Sequence, residues 1–312
     1  MKNYKILYSI LFIFILILLT SCSKNMSKNE NEKTDMVTSL KLKKELENNT
    51  MSKLNIVKEK YIEVNYDAFN IADRYKTPEG YERLVVQKGS FGEYLRNKRL
   101  KAYGNKAVYY NGRTKSSKGN YDSVYDYPIG DKNLHQASDA VMFLRADYLF
   151  NAKKYEDICF SFVNGFKAEY SKWMAGYRIR ISNNEATWHK DAEQVRTYDN
   201  FLRYMNMVYA YCSTISLPND MVSVAASEMQ IGDVFISLRG SGHSAIVVDM
   251  AVNKKNGRRI FMLAQAGSPA QQTQILINPN NSEISPWYEL DVNNDIITPE
   301  WKFKSQELMR FK

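Results

Sequence analysis

Two polar side chains at the ends of neighbouring β-rich runs are the leading candidates for chemistry in this 312-residue chain. His243 opens the run His243-Ser244-Ala245-Ile246-Val247-Val248-Asp249, and Gln265 closes Arg259-Ile260-Phe261-Met262-Leu263-Ala264-Gln265. A hairpin turn near Lys255 sets residue 243 opposite about residue 266–268, one or two positions from Gln265 on the adjacent strand. An imidazole beside an amide is the base and orienter of a nucleophilic triad. The amide fixes the tautomer and leaves the other ring nitrogen to take a proton. Asp233 and Asp249 flank the hairpin and could orient a group there or solvate strand ends. Of the three cysteines, Cys159 and Cys212 read as packed thiols, and their pairing is open. His135 and His189 lack partners at ligand spacing, which argues against zinc. Asp122, Asp126 and Asp131 lack a calcium-loop pattern. Trp173, Trp188, Trp287 and Trp301 fit a sugar groove or, more ordinarily, a core. No cofactor is implied.

The elements that must position these groups are legible in outline. Ile231–Ile236, His243–Asp249 and Arg259–Gln265 are β-rich runs joined by Gly/Asn turns, an antiparallel meander. Apolar residues at helical spacing predict helices over about Gln136–Phe150 and Tyr198–Cys212. Ser90 with Glu93 three residues on predicts a capped short helix. Shorter strands are expected at 81–86, 108–110, 123–127 and 157–163. Helices and antiparallel strands mix without regular alternation, so the fold class is α+β, with helices packed on the meander.

The N-terminus carries an address. Lys2 and Lys5 precede the apolar run Ile6–Leu19, which ends in Leu19-Thr20-Ser21-Cys22. That is a secretory signal over residues 1–21, and the run is short for a membrane span. Residues 23–60 hold nine lysines, six acids and no aromatic residue, so 22–60 is expected to be a flexible tether. Residues 61–312 are expected to form a single domain. The net charge of +9 falls to +7 without Lys2 and Lys5, with no arginine-rich run, so a nucleic-acid partner is not indicated.

The Leu-Thr-Ser-Cys ending resembles the lipobox of bacterial lipoproteins, which implies acylation of Cys22, a membrane partner through that lipid, and a place in the cell envelope. The order of the helix Phe201–Tyr211, Ile231-Gly232-Asp233-Val234-Phe235 and Gly242-His243-Ser244-Ala245-Ile246 resembles the NlpC-type cell-wall cysteine peptidases, over about residues 197–266. That family is papain-like and places its cysteine at the N-terminus of the leading helix. Here the matching position, Thr197–Asn200, has none. A longer series of segments resembles the bacterial domain-of-unknown-function family numbered 4846, over about residues 75–303. It includes Gly89-Ser90-Phe91-Gly92, Gln136-Ala137-Ser138-Asp139-Ala140, Gly242-His243-Ser244-Ala245 and Thr298-Pro299-Glu300-Trp301. Relatives of that group often carry a cysteine where this chain has Ala137. The resemblance therefore implies either a relic that binds without turnover or replacement of the thiol by Ser138, whose ordinary role would be a helix cap. The expectations are thus an inert binding or scaffolding relative of cell-wall peptidases, or a hydrolase of peptidoglycan peptides or another envelope amide with His243 as base.

Overall fold

The computed structural model describes residues 62–116 and 119–312. The signal, Cys22 and the tether of the sequence reading lie outside the described residues. The long runs of branched and apolar residues at 243–253 and 259–265 form strands β9 and β10, and everything else is arranged on that hairpin. In chain order the strands are β1 (Tyr81–Arg83), β2 (Tyr121–Val124), β3 (Cys159–Ser161), β4 (Lys167–Glu169), β5 (Tyr177–Ser182), β6 (Glu185–Lys190), β7 (Met221–Ser223), β8 (Val234–Ser237), β9 (His243–Asn253), β10 (Arg259–Gln265), β11 (Gln274–Leu276), β12 (Tyr288–Glu289), β13 (Ile296–Ile297), β14 (Lys302–Phe303) and β15 (Leu308–Phe311). The α-helices are α1 (Ile71–Arg74), α2 (Phe91–Asn97), α3 (Ala137–Asn151), α4 (Tyr170–Met174) and α5 (Tyr198–Tyr211).

Nine strands form one antiparallel sheet in the order β2-β11-β10-β9-β8-β15-β7. β1 joins the far end of β9, and β12 the far end of β10. The fold is α+β, and the described residues form one compact unit. Of the shorter expected strands, 108–110 contributes only isolated bridges, Val108 to Thr114 and Tyr109 to Gln271.

Both faces of the sheet are covered, which is why β9 is buried from His243 to Ala251. Ile246, Val248, Met262 and Ala264 face the larger core, under α3 and α5. Ala245, Val247, Phe261 and Leu263 face a smaller one, closed by Ile296 and Phe303 of the β13–β14 hairpin. Alternation on β9 is broken once. Met262 pairs with Asp249 but Leu263 with Val247, so β9 holds an extra residue at this point. Val247 and Met250 then pack in the small core, with Val248 and Ala251 in the large one. A bulge of this kind re-aims the side chains beyond it.

Residues 152–230 are largely an insertion between α3 and the sheet. Two antiparallel hairpins, β3–β4 and β5–β6, surround α4 and α5. A dense aromatic set joins them, with Tyr170 in ring contact with Phe150, Phe201 and Tyr204, and Phe150 with Phe201.

Candidate functional site

A cavity of about 530 Å³ opens where four parts of the chain meet. Ala137, Ser138 and Asp139 come from the first turn of α3, and Tyr209 and Cys212 from the last turn of α5 and its cap. Gly242 and His243 come from the start of β9, and Glu300 and Trp301 from the β13–β14 connection. Gly242 has φ of +74°, and a Cβ there would lie 3.0 Å from Thr214 Cβ, so glycine suits both the backbone and the close approach.

His243 begins β9 on the small-core face. Its ring stacks on Trp301, with centroids 5.0 Å apart, and on Phe303 at 5.9 Å. The expected neighbour is in place: His243 Nε2 lies 2.9 Å from Gln265 Oε1. Nδ1 has no protein partner and is not sealed off from the cavity. Burial lowers the His243 pKa. The Gln265 hydrogen bond and the Glu300 charge oppose this, and Lys115 adds to it. The ring is therefore held neutral at physiological pH, the form that accepts a proton.

Gln265 is itself held. Its Nε2 donates to Glu300 Oε2 at 2.8 Å. Glu300 also accepts from Lys115 Nζ at 2.9 and 3.0 Å and from Asn120 Nδ2 at 3.1 Å. Burial pushes the Glu300 carboxyl up, but Lys115, with Asn120 and Gln265, outweighs it and holds the group below its ordinary value. Lys115 is 4% exposed and also donates to Gln274 Oε1 at 3.0 Å. Glu300 and Lys115 were not singled out from sequence. One lay in a family segment read only as part of a resemblance, and the other in the polar loop 111–120. The only signals were a carboxylate between Pro299 and Trp301, and a lysine at the close of a Gly/Asn turn.

Ser138 lines the same cavity as His243. The expected helix-cap role does not fall to it, because the N-cap is Gln136, whose N–H donates to Asp139 Oδ2 at 2.9 Å. Ser138 Oγ has no hydrogen-bond partner among the described residues and sits beside the free amides of the first turn, where the helix dipole favours negative charge. Next to it, burial raises the Asp139 carboxyl to about 8, and Asp139 Oδ1 has no partner.

The other candidates are elsewhere or otherwise engaged. Asp249 is not brought to the cavity. The bulge turns it onto Arg83 Nε and Arg96 Nε, each at 2.7 Å, six residues along β9 from His243. Asp233 is held by Arg310 at 2.7 and 2.8 Å. Cys212 lines the cavity but donates to Ser161 O at 3.3 Å, and burial raises its pKa strongly, so it stays a thiol. Cys159 and Cys212 are both free. The helix that meets β9 and presents its N-terminus to His243 is α3, whereas α5 presents its C-terminal end. The NlpC-type resemblance makes α5 the leading helix, whereas the alternative in which Ser138 replaces the thiol makes it α3. The insertion of residues 152–230 separates α3 from the sheet in sequence.

His135 is buried behind the cavity wall against Tyr127, Phe143 and Tyr209, and burial lowers its pKa to about 3. His189 lies on the exposed β5–β6 hairpin, beside Thr187. Asp122 is engaged by Tyr75 and Ser123, and Asp126 by Arg99. Among the described residues no cluster of three His, Cys, Asp or Glu could hold a metal, and no helix is long and apolar enough to cross a membrane. Of the four tryptophans, Trp301 lines the cavity, and Trp287 is fully buried.

Fold and site together define an α+β protein with a histidine–amide pair at the end of a buried hairpin, facing a helix N-terminus across a polar cavity. The chain belongs to the family described as Domain of unknown function (4846), which matches residues 71–310. No curated protein and no solved structure matches it.

Proposed function

We propose that this chain is a hydrolase of amide bonds in the cell envelope, with His243 as general base and Ser138 as nucleophile. One observation carries the reading. His243 is tied to Gln265 through Nε2, while its Nδ1 is unpartnered on a cavity that also holds the free Ser138 hydroxyl.

In this reading Nδ1 takes the Ser138 proton as Oγ attacks the substrate carbonyl carbon. The resulting oxyanion meets the first-turn amides of α3. Collapse breaks the C–N bond, and the imidazolium returns its proton to the departing amine. Water, deprotonated by the same Nδ1, then attacks the acyl-serine and releases the acid, restoring Ser138 and neutral His243. One amide and one water give one acid and one amine. The neutral state of His243 and the shielding of its ring by Trp301 and Phe303 support the base role.

The Leu-Thr-Ser-Cys ending supports attachment through an acylated Cys22, which makes peptidoglycan peptides the first substrates to test. Palmitate labelling of the wild type, absent from Cys22→Ala, tests the anchor. Incubation of the chain with peptidoglycan and soluble muropeptides, read by mass spectrometry, tests the chemistry. A new product that is absent with His243→Ala and with Ser138→Ala is expected. A product that survives both substitutions would sink the assignment. The second reading, a wall-binding protein without turnover, rests on Ala137, which puts no thiol in the first turn of α3. Co-sedimentation with the wall and no cleavage would favour it.

A further inference from the structure

The geometry points to Glu300, held by Lys115, as the positioning residue that dictates which nitrogen of His243 is the base. The catalytic meaning of this inference rests on the hydrolase reading. The tautomer itself does not.

A carboxylate can only accept hydrogen bonds, and an ammonium can only donate. Lys115 Nζ contacts both Glu300 oxygens, at 2.9 and 3.0 Å. Glu300 Oε2 then requires a donor from Gln265, which turns the amide NH₂ toward it at 2.8 Å. That choice leaves the amide oxygen facing His243 Nε2 at 2.9 Å. Since Oε1 only accepts, Nε2 must carry the proton and Nδ1 must carry the lone pair. A polarity set by one buried lysine is thus relayed through a carboxylate and an amide to an imidazole. Each link admits a single orientation. A glutamine alone would not do this, because its amide presents oxygen or NH₂ equally well and would suit either tautomer. Asn120, the remaining donor to Glu300, contacts Oε1 and reinforces the same polarity.

The chain has three histidines, so ¹⁵N-histidine labelling gives three rings to resolve, and a His243→Asn control assigns the one of interest. At neutral pH the wild-type His243 ring is expected to show Nε2 as the protonated nitrogen and Nδ1 as the unprotonated one. A protonated Nδ1 would overturn the inference. The decisive variant exchanges the pair, Lys115→Glu with Glu300→Lys, which keeps the charge balance and reverses the polarity. The new ammonium at position 300 then needs the oxygen of Gln265, the amide NH₂ turns to His243, and the ring proton moves to Nδ1. An unchanged tautomer in the folded exchange variant would refute the relay. Should that variant not fold, Lys115→Met with Glu300→Leu removes both charges together and so strands neither. It is expected to show a measurable population of the Nδ1-protonated ring, and a ring still wholly protonated at Nε2 would refute the relay equally.

Where turnover is found, the exchange variant should lower kcat/KM by about 10²–10⁴-fold, the range of a general base, with KM little changed. A tautomer that switches in a protein without turnover would leave the relay standing and remove the hydrolase reading instead.

Discussion

Replacing Asp249 by alanine should unfold the chain several degrees earlier without touching the chemistry. Asp249 is fully buried at the bulge of β9, where its carboxylate meets Arg83 Nε and Arg96 Nε at 2.7 Å and the Met250 N–H at 2.9 Å. Arg96 is 8% exposed, and Arg83 also reaches the carbonyls of Ile71 and Tyr75. The carboxylate therefore ties β9 to α1, α2 and β1 at once. Alanine removes the anion and strands two guanidinium groups, one of them almost wholly buried. Breaking a buried pair in this way costs about 3–5 kcal/mol. For a domain of this size each kcal/mol moves Tm by about 2–4 °C, so a fall of about 6–20 °C is expected. Calorimetry and urea titration of the two proteins give the number. Any turnover, measured well below the variant's Tm, should stay within about twofold of wild type. His243 lies six residues along the strand, about 20 Å at 3.3 Å per residue. A variant of unchanged stability would refute the ion-pair argument. One of normal stability with lost turnover would put Asp249 back among the catalytic candidates.

Three further outcomes follow from the site. His243 must be neutral to act as a base and its pKa is lowered, so the acid limb of the kcat/KM profile should fall below the ordinary 6.5 of histidine; a limb at or above that value would contradict the base assignment. Asp139 is raised to about 8 from an unfolded value near 3.9. Its share of stability is present below about pH 3.9 and is lost as pH rises toward 8, at about 1.4 kcal/mol per unit. Asp139→Asn should therefore gain about 2–3 kcal/mol over wild type between pH 5 and pH 7 in urea titrations, and parallel pH profiles would rule this out. With Cys22 replaced by serine, the native chain should react slowly with a thiol reagent at pH 8 and release two thiols on unfolding. Burial holds Cys159 at about 11 and raises Cys212 further, so fast modification of either in the folded protein would contradict that environment.

The parts of the fold that follow from local pattern could be read directly. The runs at 243–249 and 259–265 have the period and the turn residues of a hairpin, and the register inferred from the turn at Lys255 brought His243 to Gln265. Helix α3 was legible because its apolar residues repeat at helical spacing and it begins at a capping position. Asp249, a candidate from sequence, lies away from the cavity for a physical reason. Strict alternation from His243 would put residue 249 on the same face, but one extra residue near Val248 reverses that order. Alternating polarity does not reveal a bulge when the strand is buried on both sides and the residues around it, Ala245–Val248 and Met250–Val252, are all apolar.

Glu300 and Lys115 were out of reach for a different reason. Nothing in the loop 111–120 distinguishes Lys115 from its neighbours Lys106 and Arg113, which are exposed. Its role exists only once β11 and the β13–β14 connection set Gln274 and Glu300 against it, and β10 sets Gln265 against Glu300. Buried polar networks are costly unless every member is satisfied, so the set is expected to act as one. Losing the Lys115 donors leaves Glu300 under-compensated, a protonated Glu300 no longer demands the amide NH₂, and the freed amide no longer decides the tautomer of His243. The residues that made the site visible in sequence are the last two members of this chain. The residue that sets their polarity is the first, and it lies 128 positions from the histidine.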